Sequence, residues 1–126
     1  MTAKKKILKL PEFHAHYKLW LSLKNGDGIL GDGKWQLLLA IHKFGSISKA
    51  ATVLDISYRK AWGDIRKVES MLGINIVEKT RGGAVGGCTI LTSKGEMLVK
   101  AFSKFHLDFE KLFKGLSKEF ELQVKR

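Results

Sequence analysis

Apolar and polar positions change their period several times along this 126-residue chain, and each period predicts a different element. From His16 to Lys24 the period is two. Tyr17, Leu19, Leu21 and Leu23 fall on one side, and Lys18, Ser22 and Lys24 fall on the other with Trp20, which predicts a half-buried strand. The "NGDGILGDG" that follows is dense in turn residues, and Asn25-Gly26 suits the positive φ of a hairpin. A helix is predicted from about Gly33 to Phe44, N-capped by Asp32. Its Trp35, Leu38, Leu39, Ile41 and Phe44 leave little of its circumference polar, so it lies mostly inside the domain.

Gly45 stops that helix. "SISKAATVL" starts a short second one, capped by Ser46 or Ser48, with Ala50, Ala51 and Leu54 inward. The small alanines permit close approach of another helix. After the turn "LDIS", Ser57 is placed to cap a third helix from Tyr58 to about Leu72, whose Ala61, Ile65, Val68 and Leu72 form one buried face. "INIVEK" and "CTIL" are short β-branched runs flanking the glycine-rich "TRGGAVGG", so residues 74–91 read as a hairpin with a long tip. Thr92 caps a last, long helix. In it Leu98, Phe102, Phe105, Phe109, Leu112 and Leu116 alternate spacings of four and three, the seam of a coiled coil. The seam runs for more turns than a small domain covers alone, and a second copy of the chain is the expected cover.

Length and composition fit one domain with an extension. Lys and Arg number 23 against 12 Asp and Glu, a net charge of +11, which favours a polyanionic partner: nucleic acid first, an anionic membrane surface second. Lys4, Lys5 and Lys6 are followed by apolar residues broken by Lys9, Pro11 and Glu12. That leaves no signal-peptide core, and no stretch reaches the length of a membrane span. A soluble, cytoplasmic protein is expected. Cys88 is the single cysteine, which excludes an intrachain disulfide and a cysteine-based zinc cluster within one chain.

With Ala61, Ile65 and Val68 packed inward, the third helix must turn Arg59, Lys60, Gly63, Arg66 and Lys67 outward. Two helices joined by a short turn, the second basic on its outer face, match helix-turn-helix geometry, in which the start of the second helix reaches base edges. Tyr58, Arg59, Lys60 and Trp62 occupy that start. Arg and Lys suit guanine O6 and N7, while hydroxyls suit phosphate oxygens. The plain alternative is that the charges only solvate a surface helix, and Trp62 divides evenly between packing and recognition. Lys79 and Arg81 beside the glycine-rich tip would let a wing follow the adjacent backbone, and helix-turn-helix plus such a hairpin spells winged helix.

Other chemistry is weakly supported. Gly82 and Gly87 are spaced as in a nucleotide-binding P-loop with Thr89 at its hydroxyl position, yet Cys88 stands where the phosphate-pairing lysine belongs and a strand follows instead of a helix. His14 and His16 share a side of an extended segment without a third ligand nearby, so no metal site is assigned. His42 and His106 sit within predicted helices as packing or surface residues. Cys88 has no evident base partner. No paired-acid or nucleophile–base spacing is present, and neither an enzyme nor a cofactor is expected.

"GSISKAATVLDISYRKAWGDI", the tip "RGGAVGG" and "LTSKG" together resemble the N-terminal DNA-binding domain of the ModE-type molybdate-responsive regulators, itself similar to the winged helix of LysR-type regulators, over about Leu19 to Phe105. The resemblance implies that Ser48 and Lys49, Ser57, Tyr58, Arg59, Lys60 and Trp62, and Thr80, Arg81, Gly82 and Gly83 face DNA. It also implies a homodimer held by the N-terminal strand, through Leu19 and Leu21, and by the long helices. Full-length members carry C-terminal molybdate-binding domains; here no oxyanion pocket is assignable and molybdate is not expected as a ligand.

The expected architecture is mainly α with a small β component: a winged helix-turn-helix with an N-terminal strand over residues 1–92, and a dimerisation helix with its tail over 93–126. The expected function is a dimeric, sequence-specific DNA-binding transcription regulator that adds Arg66 and Lys79 to the DNA contacts above. Its half-sites would be about 34–36 Å apart or a multiple of that. The competing readings are a protein-interaction adaptor using the coiled-coil helix and, more remotely, a small nucleotide-binding enzyme.

Overall fold

The structure, a computed structural model, describes residues 10–80 and 88–125. They divide into two units, Lys18–Ser103 and residues 104–125 with residues 10–17.

The first unit opens with a hairpin, β1 (Leu21–Ser22) antiparallel to β2 (Gly28–Leu30), with Leu21 opposite Leu30. The period-two pattern holds here: Leu19, Leu21 and Leu23 pack against the core, and Lys18, Trp20, Ser22 and Lys24 face out. The paired part is shorter than the predicted His16–Lys24 strand because β2 offers only three residues before a helix begins. Gly26 supplies the positive φ of the turn, at 96°, and Asn25 Oδ1 accepts the Asp27 N–H at 2.9 Å.

Three helices follow: α1 (Asp32–Phe44), α2 (Ile47–Val53) and α3 (Tyr58–Leu72). Asp32 is not the cap of α1. The N-cap is Gly31, without a side-chain hydrogen bond, and Asp32 lies inside the first turn, where its charge still complements the helix dipole. Ser46 caps α2 by accepting the Lys49 N–H, and Ser57 caps α3 by accepting the Lys60 N–H at 3.0 Å. Gly45 and Gly73 close α1 and α3 in the left-handed conformation. The core gathers Leu30, Leu37, Leu38, Ile41, Ile47, Ala50, Ala61, Ile65, Val68 and Ile76. The alanines of α2 and α3 let those helices pack closely, as their size predicts.

Beyond α3, β3 (Val77–Thr80) pairs antiparallel with β4 (Cys88–Leu91), Val77 opposite Leu91 and Thr80 opposite Cys88. The hairpin is tied to the helices by the Thr89 N–H, which donates to the Gly45 carbonyl at 2.9 Å, and by the Glu69 carboxylate, which accepts the Ile76 N–H at 2.8 Å and the Val77 N–H at 3.4 Å. Helix α4 (Ser93–Val124) starts under the Thr92 hydroxyl, which accepts the Gly95 N–H at 3.0 Å and donates to the Asn75 carbonyl at 2.6 Å. Gly95 is obligatory there, because a Cβ would strike the carbonyl oxygen of Ile76.

The predicted coiled-coil seam runs through two environments. Phe102 is buried in the first unit with its ring 5.6 Å from that of Trp35, and Leu98 packs partly against the same core. In the second unit Tyr17 packs on Phe109 and Phe113 and hydrogen-bonds Glu110, while Phe13 meets Phe120 edge-on. Tyr17 thus belongs to this cluster and not to the predicted strand. Phe105, Leu112 and Leu116 remain exposed. Lys104 and Asp108 pair at 2.6 Å, one helical turn apart, and the Lys104 hydrogen bond holds the Asp108 carboxyl below the usual carboxylate range.

Among the described residues no helix is long and apolar enough to cross a membrane, and no group of three or more His, Cys, Asp or Glu could hold a metal ion. Cys88 and Thr89, the two P-loop positions that are described, lie in β4; Gly82 and Gly87 fall outside the described residues.

Candidate nucleic-acid interface

Helix α3 organises the site because its inward and outward faces differ so completely. Ala61, Ile65 and Val68 are at most 1% exposed, so the residues half a turn away must stand in solvent. There Arg59 and Arg66 are exposed, with Gly63 and Ser70 completing the crest as small residues that keep the helix backbone approachable. Lys60 and Lys67 occupy one flank and Tyr58 and Trp62 the other, as 3.6 residues per turn requires.

Trp62 packs inward and also keeps a face turned toward cations. Its half-buried ring packs against the core, while its outer face receives Lys79 Nζ at 4.8 Å and the Arg66 guanidinium at 5.2 Å. An indole face attracts cations through its quadrupole, so Trp62 gathers one charge from the helix and one from the hairpin. The Tyr58 ring stands edge-on to it at 6.4 Å. Lys60 is partly neutralised by Asp64 at 3.3 Å, an exposed pair of small energetic weight.

The other predicted positions are distributed around this crest. Ser48 and Lys49 are exposed on α2, and Ser48, Tyr58, Lys79 and Cys88 line one small cavity of about 290 Å³ with Ser46 and Thr89. Accepting the Lys60 N–H leaves the exposed Ser57 hydroxyl free to donate its proton. Thr80 is half-buried, its hydroxyl against the carbonyl and sulfur of Cys88. Arg81, Gly82 and Gly83 lie outside the described residues. Leu19 and Leu21 pack against the core of their own unit and are half-buried.

Sequence reasoning passed over Glu69. A carboxylate near a helix C-terminus opposes the dipole, which was the available signal that its role lay elsewhere: it receives the Ile76 N–H and so seats the hairpin against α3. It also passed over Lys18, Trp20 and Lys34, which share a groove with Lys60 and Lys67.

Comparison with known proteins agrees with this geometry. The molybdenum-pterin-binding protein MopB of Rhodobacter capsulatus is 33% identical over 93 residues, 74% of this chain and 34% of MopB. The DNA-binding transcriptional dual regulator ModE of Escherichia coli K12 is 32% identical over 101 residues, 79% of this chain and 38% of ModE. The chain therefore spans about a third of the length of these curated relatives. Among solved structures, Vibrio fischeri DarR in complex with DNA matches 72% of this chain and 30% of its own with a TM-score of 0.57 and 20% identity, a likeness of fold. The family model for bacterial regulatory helix-turn-helix proteins of the lysR family matches residues 33–96, from the first turn of α1 through the hairpin to the start of α4, and the chain belongs to that family.

Proposed function

We propose that this chain is a sequence-specific DNA-binding transcription regulator acting in the cytoplasm as a homodimer, with α3 in the major groove and the β3–β4 hairpin on the adjacent backbone. The observation that carries the reading is the Arg59–Gly63–Arg66 crest on a helix whose opposite side is closed core. Arginine at the start of such a helix reads guanine edges, and Ser48, Lys49, Ser57, Tyr58 and Lys79 are placed around it to hold phosphates. Thr80 borders them, and the reading extends to Arg81, Gly82 and Gly83. Residues 1–92 form the DNA-reading part, and residues 93–126 the dimerisation helix, with Leu19 and Leu21 assisting.

The test is a salt titration on duplexes selected from random DNA. Affinity falls by about 0.9 log units per log unit of salt for each phosphate neutralised. Arg59→Ala is expected to lose about 1–3 kcal/mol of base discrimination, while Lys79→Ala weakens all duplexes alike. Equal losses on selected and random duplexes for Arg59→Ala would remove its reading role. Binding is expected to be indifferent to added molybdate.

A second reading, a protein-interaction adaptor, is favoured by the exposed Leu107, Leu112 and Leu116 of α4. It predicts weak DNA binding without a steep salt slope.

A further inference from the structure

On the flank of α3 away from Trp62 lies a groove of about 840 Å³, of whose lining only Lys60 has a role above. Four lysines from three parts of the chain line it: Lys18 before β1, Lys34 in the first turn of α1, and Lys60 and Lys67 of α3. Asp32 and Asp64 also border it, and Asp64 is engaged with Lys60, so cations outnumber carboxylates by four to two. Among the described residues no ion pair takes up Lys34 or Lys67. Like charges from separate elements repel when they converge, and the arrangement becomes favourable when an anion enters. Trp20, 55% exposed, also lines the groove, and its Cβ lies so close over Gly31 that a methyl there would be only 3.2 Å away.

The position relative to α3 selects the anion. A major groove about 12 Å wide has a phosphate strand along each edge. With the Arg59–Arg66 crest between those edges, one strand runs on the Trp62 flank, where Lys79 waits, and the other on the flank that Lys60 and Lys67 share with this groove. We infer that the groove is a second backbone clamp: Lys18 and Lys34, with Lys60 and Lys67, hold phosphodiester groups of the DNA strand opposite the one the hairpin follows. The N-terminal hairpin and the start of α1 thereby become part of the DNA-binding surface, an extension that rests on the regulator reading above.

The experiment compares wild type, Lys18→Gln/Lys34→Gln and the charge-matched Lys94→Gln/Lys100→Gln on a selected and a random duplex across salt, with thermal melts to confirm folding. Each lost phosphate contact lowers the slope by about 0.9 and affinity by about tenfold at 0.1 M salt. The Lys18/Lys34 variant is expected to show that loss equally on both duplexes and to keep the wild-type base preference, while the Lys94/Lys100 variant keeps the wild-type slope. An unchanged slope in the Lys18/Lys34 variant, or the same loss in both double variants, overturns the clamp. Inorganic phosphate is the third arm: raising the melting temperature of wild type but not of Lys18→Gln/Lys34→Gln, with no change in DNA slope, would assign the groove to a small anion and overturn the clamp as well. Absence of any salt-dependent binding by wild type sinks the regulator reading and the clamp together; a normal wild type with an indifferent Lys18/Lys34 variant sinks the clamp alone.

Discussion

Helix α3 and the part of α4 beyond Ser103 share a helical period and differ in what they leave outside. In α3 the inward stripe is small and fully covered, and the outward face is cationic, a surface that water accepts and a polyanion can use. In distal α4 the inward side meets Tyr17 and Phe13, yet Phe105, Leu112 and Leu116 stay 47%, 67% and 66% exposed. Apolar area left in water forfeits roughly 25 cal/mol per Å², so that surface calls for a cover where the first does not. One periodicity therefore serves two purposes, and the chemistry of the outward residues tells them apart.

The largest expected effect breaks the apolar side of this contrast. If a second copy covers distal α4, Leu112→Asp/Leu116→Asp removes two buried leucines worth about 1.5–3 kcal/mol each, and dimer dissociation in sedimentation equilibrium should rise by about a hundredfold or more. A monomeric wild type would refute the homodimer at once.

Within α3 the contrast is sharpened by two substitutions one residue apart. Ile65→Ala leaves a cavity in the core and should cost about 2–5 kcal/mol in urea unfolding, whereas Arg66→Ala, on the solvent side, should stay within about 0.5 kcal/mol. Comparable losses for the two would mean that the outward face is structural. Ser57→Ala removes the cap of α3 and should destabilise by about 1 kcal/mol, seen as a lower urea midpoint with unchanged slope.

The smallest effect concerns the surface of α4. A carboxyl held below its ordinary range contributes stability that is present above that range and is lost as pH falls through it. Lys104→Gln should let Asp108 titrate at higher pH in a carbon-detected NMR titration and weaken that acid-side dependence, leaving the smaller pull of Lys111. An unmoved Asp108 would show that Lys104 is not its partner in solution.

Most of the fold was legible because its signals are local. Ser57, Gly45 and the spacing of Ala61, Ile65 and Val68 each act within one or two turns of backbone, and the structure keeps all of them. Asp32 failed as a cap because Gly31 takes the extended backbone that a cap requires, one residue earlier. The strand from His16 came out short because alternation reports which side is buried, while pairing needs a partner that β2 is too brief to supply.

By itself the sequence determined the helices, the hairpin, the basic outward face of α3 and the family resemblance, since propensity, capping and periodicity operate between near neighbours. Tertiary structure alone decided what depends on residues far apart in the chain: Lys79 meeting Trp62, Glu69 seating the hairpin, Phe102 turning into its own core, and Lys18 and Lys34 arriving beside Lys60 and Lys67. Those meetings follow from how the helices and hairpins pack, and no local pattern encodes them.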